Sequence, residues 1–238
     1  MKLFDLEFFL KSIPQILTCL PVTLIVSFVS FFFSVVIGFT AAIIKIYKVP
    51  VLDKLTTLYI SFIRGTPVLV QLYIICYGIP KVIYYTQLET GALQNIDINV
   101  IPGMVYVLIA YSFNIGAYMA ETIRSSIEAV DRGQFEAARS VGMTSFQVYT
   151  RIIIPQAFVI ALPNLGNSLI SAVKDTSLMF VAGLVDVMAK AKIIGARAYN
   201  YLEVYIAAAL VYWGTCLLIE IVFRLLEKKL GNFKRKVV

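Results

Sequence analysis

The 238-residue chain contains no histidine, and only 15% of its residues are charged. Without imidazole it lacks the commonest transition-metal ligand and the side chain that most often moves protons near neutral pH. Its three cysteines, Cys19, Cys76 and Cys216, stand far apart, each within an apolar run, so neither a disulfide framework nor a metal site is indicated. No G-x-x-x-x-G-K-[ST] phosphate-cradling loop occurs, which argues against nucleotide binding by this chain. With no clustered nucleophile either, the sequence speaks against an enzyme. No repeat, linker or low-complexity segment divides residues 1–238, so one domain suffices.

What the chain has in excess is apolar surface. Hydrophobic residues make up 60% of it, and its mean hydropathy is +0.85. A soluble fold of this length cannot hide so much from water, because it needs a polar exterior. Lipid can solvate the surplus, and long runs without period-two alternation predict an all-α integral membrane protein. Five runs are long enough to span: about residues 17–44, 55–84, 101–122, 152–173 and 204–226. The first is too long for a cleavable signal and reads as a retained span. The segment 174–203 is too polar for a clean span and reads as a short re-entrant helix.

The net charge of +7 sits beside the apolar runs rather than on one polar segment, which favours membrane lipid over nucleic acid as the partner. Lys45, Lys48 and Lys54 mark one cytoplasmic loop, Arg132, Arg139 and Arg151 a second, and the tail with Lys228, Lys229, Lys234, Arg235 and Lys236 a third. The acidic loop with Glu89 and Asp97 is then outside, giving an outward N-terminus and an inward C-terminus. Lys190, Lys192 and Arg197 run against this orientation.

Several polar residues fall inside the runs, where charge is costly and usually faces a cavity or a partner. Asn114, Tyr118, Glu121 and Ser125 share one helical face of the third. Glu121 fits two roles, an ion pair with Arg124 three residues on, or a cavity wall. Asn164, Asn167, Ser168 and Ser171 line one side of the fourth and read first as interhelical glue. Lys174, Asp175, Thr176 and Ser177 follow, a charged pair and two hydroxyls suited to a zwitterion. Arg64, Gly65 and Pro67 imply a bend in the second run, with Arg64 either bonding the freed carbonyls or snorkelling to the cytoplasmic face. Glu220 and Arg224, four apart, read as a structural pair.

One cytoplasmic segment, at about 129–155, is distinctive. Glu136, Ala137 and Ala138 read as a short helix with a small-residue face, Gly142 as its left-handed terminator, and Thr144-Ser145 as a turn into a second helix that enters the membrane near Pro155. Periodicity alone favours a solvated amphipathic loop. The spacing, however, resembles the EAA loop (EAA, three residues, G, nine residues, I-x-L-P) of permease subunits of binding-protein-dependent ABC importers, with Ile154 in place of Leu. Residues Phe62 through Leu72 resemble the F-x-R-G-T-P-L-L-V-Q signature of the polar amino-acid uptake group, and Ala117 through Arg124 and Lys174 through Leu178 resemble two more.

The resemblance implies a type I importer permease of about five spans in a bacterial inner membrane. It implies a coupling helix, with Glu136 as anchoring charge, Ala137 and Ala138 as docking surface and Gly142 as turn, seated on a separate ATPase. ATP and magnesium would belong to that partner, with no cofactor in this chain. Two ATPase copies, a second or related permease and an extracytoplasmic amino-acid-binding protein complete the implied assembly. Residues 186–213, including Ala189-Lys190-Ala191-Lys192, resemble cystine-type members most, so L-cystine is the expected substrate, ahead of arginine, glutamine or histidine. The rival class is a channel or secondary carrier without an ATPase. Against it, the chain of intramembrane acids expected of a proton-coupled carrier is missing, and the EAA-like loop would have no task.

Overall fold

In a computed structural model, which describes residues 4–237, all regular elements are helices. Five of them among the described residues are long and apolar enough to cross a bilayer: Leu20–Ile46, Val68–Thr90, Gly103–Glu128, Ser145–Ala182 and Tyr201–Gly231. The number agrees with the sequence reading, but two spans have other boundaries, each for a reason that lies at a proline.

A short helix α1 (Leu6–Leu17) precedes the first span. Asp5 caps it by accepting from Phe8 N–H, and the Asp5 N–H donates to Glu203 Oε1 at 2.9 Å. Its apolar face, with Ile16 fully buried, packs on Val187, Val204 and Ala208 near the outer ends of the last elements.

Helix α2 (Leu20–Ile46) has 27 residues, about 40 Å of helix, enough to cross a hydrocarbon core of roughly 30 Å. Apart from Val26 its buried positions are small or carry hydroxyls: Thr23, Ser27, Ser30, Ser34, Gly38, Ala41 and Ala42. Its exposed positions are large, among them Phe28, Phe32 and Phe33. This inverts the soluble pattern. Lipid tails are as apolar as a protein core, so association depends on close van der Waals approach. Helix α6 (Gly103–Glu128) meets α2 with Gly116, Ala117, Met119 and Ala120. The fit leaves no room for a side chain at Gly38, where a Cβ would overlap Met119 Cβ. At Gly116 a Cβ would come within 2.9 Å of Ile37 Cγ2.

The second expected run, 55–84, is two helices. Helix α3 (Leu52–Gly65) stops because Pro67 has no N–H and forces its predecessor to extend: Thr66 sits at φ −124°, ψ 145°. The chain restarts as α4 (Val68–Tyr73), passes through a wide five-residue turn (Ile74–Gly78) and continues as α5 (Ile79–Thr90). The span therefore begins at Val68, and it takes in Gln87–Thr90, which the composition placed in the outer loop. Two of those polar residues are satisfied locally: Gln87 Nε2 donates to the Leu93 and Ile96 carbonyls at 2.8 and 2.7 Å, and Thr90 donates to Thr86 O at 2.7 Å.

The fourth span is longer than the expected 152–173. After α7 (Arg132–Ser140), helix α8 (Ser145–Val148) runs through a wide turn (Tyr149–Ile153) into α9 (Ile154–Asp175) and a tighter tail, Thr176–Ala182. Both wide turns immediately precede an Ile-Pro pair, Ile79-Pro80 and Ile154-Pro155. A wide turn moves the preceding carbonyls away from the proline ring and leaves fewer of them waiting for its missing N–H.

The segment after α9 forms the expected short helix, α10 (Val187–Ala198), capped by the fully buried Asp186. Asp186 accepts from Ala189 N–H at 2.8 Å and from the Tyr212 hydroxyl at 2.7 Å, fixing α10 to α11 (Tyr201–Val237). Of the basic residues that opposed the orientation, Arg197 is exposed and Lys192 lies over the Phe180 ring, 5.7 Å from its centroid. The Glu220–Arg224 pair forms at 2.6 Å on an exposed face. Of the basic tail, Lys234, Arg235 and Lys236 lie where the helix backbone alone is described.

The seam between α2 and α6 makes a stability prediction. Gly38→Val should lower the thermal midpoint of the purified protein through an overpacking cost of about 1–3 kcal/mol or more. Gly214→Ala, where a Cβ meets no atom within 4 Å, should not lower it. Thermal unfolding in nanodiscs measures both, and a midpoint unchanged by Gly38→Val would show that the helices are not in close contact there.

Candidate substrate cavity and coupling loop

Between the α3–α4 break, α6 and α9 lies a cavity of about 600 Å³, within the size range of small-molecule sites, roughly 300–1,000 Å³. The break contributes Arg64, Thr66, Pro67 and Val68; α6 contributes Asn114, Ile115, Tyr118, Glu121 and Thr122; α9 contributes Asn164, Asn167, Ser168, Ser171 and Asp175. The α9 residues recur at intervals of three, one, three and four, one stripe of a helix.

Charge is sparse and sorted along this wall. Arg64 makes no ion pair among the described residues, and its guanidinium lies over the Tyr118 ring, 5.7 Å from the centroid. Glu121 accepts from Arg124 Nη2 at 2.7 Å and Nε at 3.1 Å, and Arg124 Nη1 reaches Glu128 at 2.7 Å. Both roles open to Glu121 in the sequence are thus filled at once. Among the described residues the Asp175 carboxylate takes part in no hydrogen bond or ion pair, although its backbone carbonyl accepts from the Tyr111 hydroxyl at 2.5 Å. A lone cation, two carboxylates at different depths and several amides and hydroxyls are the groups that hold a zwitterion.

Several sequence assignments change here. Lys174 is exposed and Thr176 fully buried, its hydroxyl donating to Val173 O at 2.7 Å; neither is on the wall, nor is Ser177. Neighbours on a helix are about 100° apart, which turns Lys174 outward and Thr176 into the core while Asp175 faces the cavity. Asn164, Asn167, Ser168 and Ser171, read as glue, line the cavity instead. Arg64, read as the partner of freed carbonyls, faces the cavity, and Gln71 bonds those carbonyls: its Nε2 donates to Ile63 O, Thr66 O and Thr66 Oγ1 at 2.9, 3.0 and 2.9 Å. Gly65 has no steric requirement for glycine, since a Cβ there meets nothing within 4 Å. Ser125 bonds Thr122 O and stays off the wall.

On the cytoplasmic side, Asp131 caps α7 by accepting from Gly133 N–H. The helix ends at Gly142, φ +84°, a conformation that costs an L side chain about 1–2 kcal/mol. There Gly142 N–H bonds Arg139 O at 3.0 Å and Met143 N–H bonds Ala138 O at 3.2 Å. Thr144 and Gln147 then form a reciprocal cap on α8, Thr144 N–H to Gln147 Oε1 at 2.9 Å and Gln147 N–H to Thr144 Oγ1 at 3.3 Å. Ala138, Val148 and Ile153 pack with Ile127 and Val130 below the loop, so α7 is welded to the inner ends of α6 and α9.

Glu136 and Ala137 are exposed, whereas Ala138 is only 4% exposed. Ala138 therefore anchors the loop and cannot be part of a docking surface as the repeated alanines suggested. The exposed apolar residues are Val141 and Phe146, 78% and 77% accessible. In the sequence each stands between small or polar neighbours, Ser140 and Gly142 for Val141 and Ser145 and Gln147 for Phe146. Pro155 is the second residue of α9, behind the wide turn.

A membrane bundle with a polar cavity and a rigid, apolar-tipped cytoplasmic hook defines a transport permease. Residues 34–232 match the model of the binding-protein-dependent transport system inner membrane component family, and the chain belongs to that family. It is 38% identical over 237 residues, all of this chain and 96% of the relative, to the L-cystine transport system permease protein TcyL of Bacillus subtilis. It is likewise 38% identical over 229 residues, 96% of this chain and 97% of the relative, to the probable amino-acid ABC transporter permease protein PatM of Vibrio harveyi. A solved amino acid ABC transporter, crystallised with histidines, superposes with a TM-score of 0.79 at 34% identity, covering 96% of this chain and 100% of that one. The protein is thus an inner-membrane permease of an amino-acid ABC importer, with the type I fold.

The wall and its neighbours can be separated by mutation. Asp175→Asn should raise the KM for amino-acid uptake about tenfold or more, the loss of a charged hydrogen bond being worth about 1.5–3 kcal/mol. Thr176→Val should stay within about twofold. Uptake into proteoliposomes measures both, and a larger effect at Thr176 would place the substrate on the other face of α9.

Proposed function

We propose that this permease carries L-cystine inward across the membrane, driven by ATP hydrolysis in a separate subunit. The observation that carries the substrate is the full-length similarity to a permease named for L-cystine transport. The cavity chemistry is compatible with it: Arg64 suits an α-carboxylate, while Asp175 and the amides of Asn114, Asn164 and Asn167 suit an ammonium group. Cystine carries both groups at each end, so a long wall with acid and base at separate depths fits an elongated zwitterion.

The drive enters through the hook. Glu136, Ala137, Val141 and Phe146 form the surface offered to a dimer of cytoplasmic ATPases, which hold ATP and magnesium; this chain holds no cofactor. Gly142 sets the angle between α7 and α8, and the packing around Ala138 passes force from the hook into α6 and α9, both of which wall the cavity. Rigid-body movement of those helices against a second permease copy or a related chain switches access from the outer to the inner face. An extracytoplasmic binding protein delivers the amino acid.

Reconstitution tests the reading. Complexes with the ATPase and binding protein should take up L-cystine only with ATP, and arginine, glutamine or histidine should compete weakly. Gly142→Val should leave the permease inserted but abolish co-purification of the ATPase or its stimulation by loaded binding protein. ATP-independent uptake by the permease alone would assign it to the secondary carriers.

A further inference from the structure

The stretch from Phe62 to Leu72 is only partly explained by the cavity, because its glutamine stands behind the wall. Gln71 is 4% exposed. Its Nε2 holds Ile63 O at 2.9 Å, Thr66 O at 3.0 Å and Thr66 Oγ1 at 2.9 Å, all on the α3 side of the break, though Gln71 itself belongs to α4. Its Oε1 accepts from Asn114 Nδ2 at 2.9 Å. Since Nε2 faces only acceptors, the orientation of the Gln71 amide is fixed, and that of Asn114 follows from it. The Asn114 amide is therefore directed at Gln71, and its Oδ1, which accepts no hydrogen bond among the described residues, remains for the cavity that Asn114 lines.

We propose that Gln71 is a positioning residue for transport, making the angle between α3 and α4 respond to what Asn114 holds. This rests on the amino-acid importer reading above. An ammonium group bound at Asn114 Oδ1 polarises that amide and strengthens its Nδ2 bond to Gln71, as in any chain of hydrogen bonds at low dielectric. The stronger bond favours the arrangement in which Gln71 spans the break. Occupancy then biases the helix pair because the ligand interacts differently with its two arrangements. The bias has a path to the inner face: α3 is tied to α6 by the Tyr59 hydroxyl donating to Phe113 O at 2.6 Å, and to the end of α2 by Lys45 Nζ donating to Thr57 Oγ1 at 2.9 Å.

Gln71→Met removes the amide at nearly constant length and is tested in the complete complex, with ATPase and binding protein loaded with L-cystine. Basal ATP hydrolysis should persist, stimulation by loaded binding protein should fall at least about fivefold, the lower edge of usual coupling strengths, and the KM should change much less than kcat. The double variant with Asn114→Leu should be no worse than the poorer single variant; multiplied losses would overturn a shared link. If Gln71→Met does not assemble, spin labels at the exposed positions 58 and 73 of an otherwise wild-type, cysteine-free complex read the break directly. A distance distribution unchanged by L-cystine-loaded binding protein overturns the proposal. A wild-type complex stimulated by no amino acid defeats the importer reading, whereas a stimulated wild type and an equally stimulated Gln71→Met defeat the role of Gln71 alone.

Discussion

A helix interrupted at a buried site survives only if the carbonyls it frees find donors within the protein, since each polar group left buried and unpaired costs about 1–3 kcal/mol. The Gln71 amide meets that requirement for the break at Thr66-Pro67. The cavity depends on it. With α3 and α4 fused into one rod, Thr66, Pro67 and Val68 would be ordinary turns of helix, and Arg64 would have no bend beside it. The interruption is what lets backbone and a guanidinium approach the Asn114 face of α6.

The second condition is the closeness of α2 and α6. Small side chains from Thr23 to Ala42 let the two backbones approach, and the bulky residues of α2 turn to lipid. That draws α6 to the middle of the bundle, with thirteen of its residues buried. Asn114, Tyr118 and Glu121 are therefore presented to the interior by a helix whose opposite side is already occupied. In water the same stripe would be a weak core. In lipid, shape rather than hydrophobicity decides the pairing.

Much of this was legible in the order of residues. The left-handed Gly142, the Thr144 turn and the Glu121–Arg124 pair follow from local rules that lipid does not alter, and the number of spans follows from the length of the apolar runs against the bilayer. The boundaries of the second and fourth spans did not follow, because hydropathy averages across Pro67 and Pro155 and cannot see the backbone break or widen there. The wall of the cavity was half legible. The stripe Asn164, Asn167, Ser168, Ser171 and Asp175 is visible as spacing, but whether it faces a neighbour or a void depends on where α6 and α3 stop. Lys174 and Thr176 were grouped with Asp175 by adjacency, where helical phase should have separated them. Ala138 was misread because a small residue serves equally to dock a partner or to let its own helix settle, and only the packing of Val148 and Ile153 distinguishes the two.

The wide turn at Tyr149–Ile153 has a geometric consequence for the hook. An ordinary helix advances about 100° per residue, and a five-residue turn advances less, so the azimuth of everything before it is offset from the phase of α9. The direction in which Phe146 and Glu136 face, measured around the α9 axis, is thereby stored as a count of residues between two fixed points. Losing or gaining one residue there would turn the hook through roughly a quarter of a circle against the packing of Ala138, Val148 and Ile153 on Ile127 and Val130. The compass bearing of the cytoplasmic loop is written in chain length as well as in its contacts.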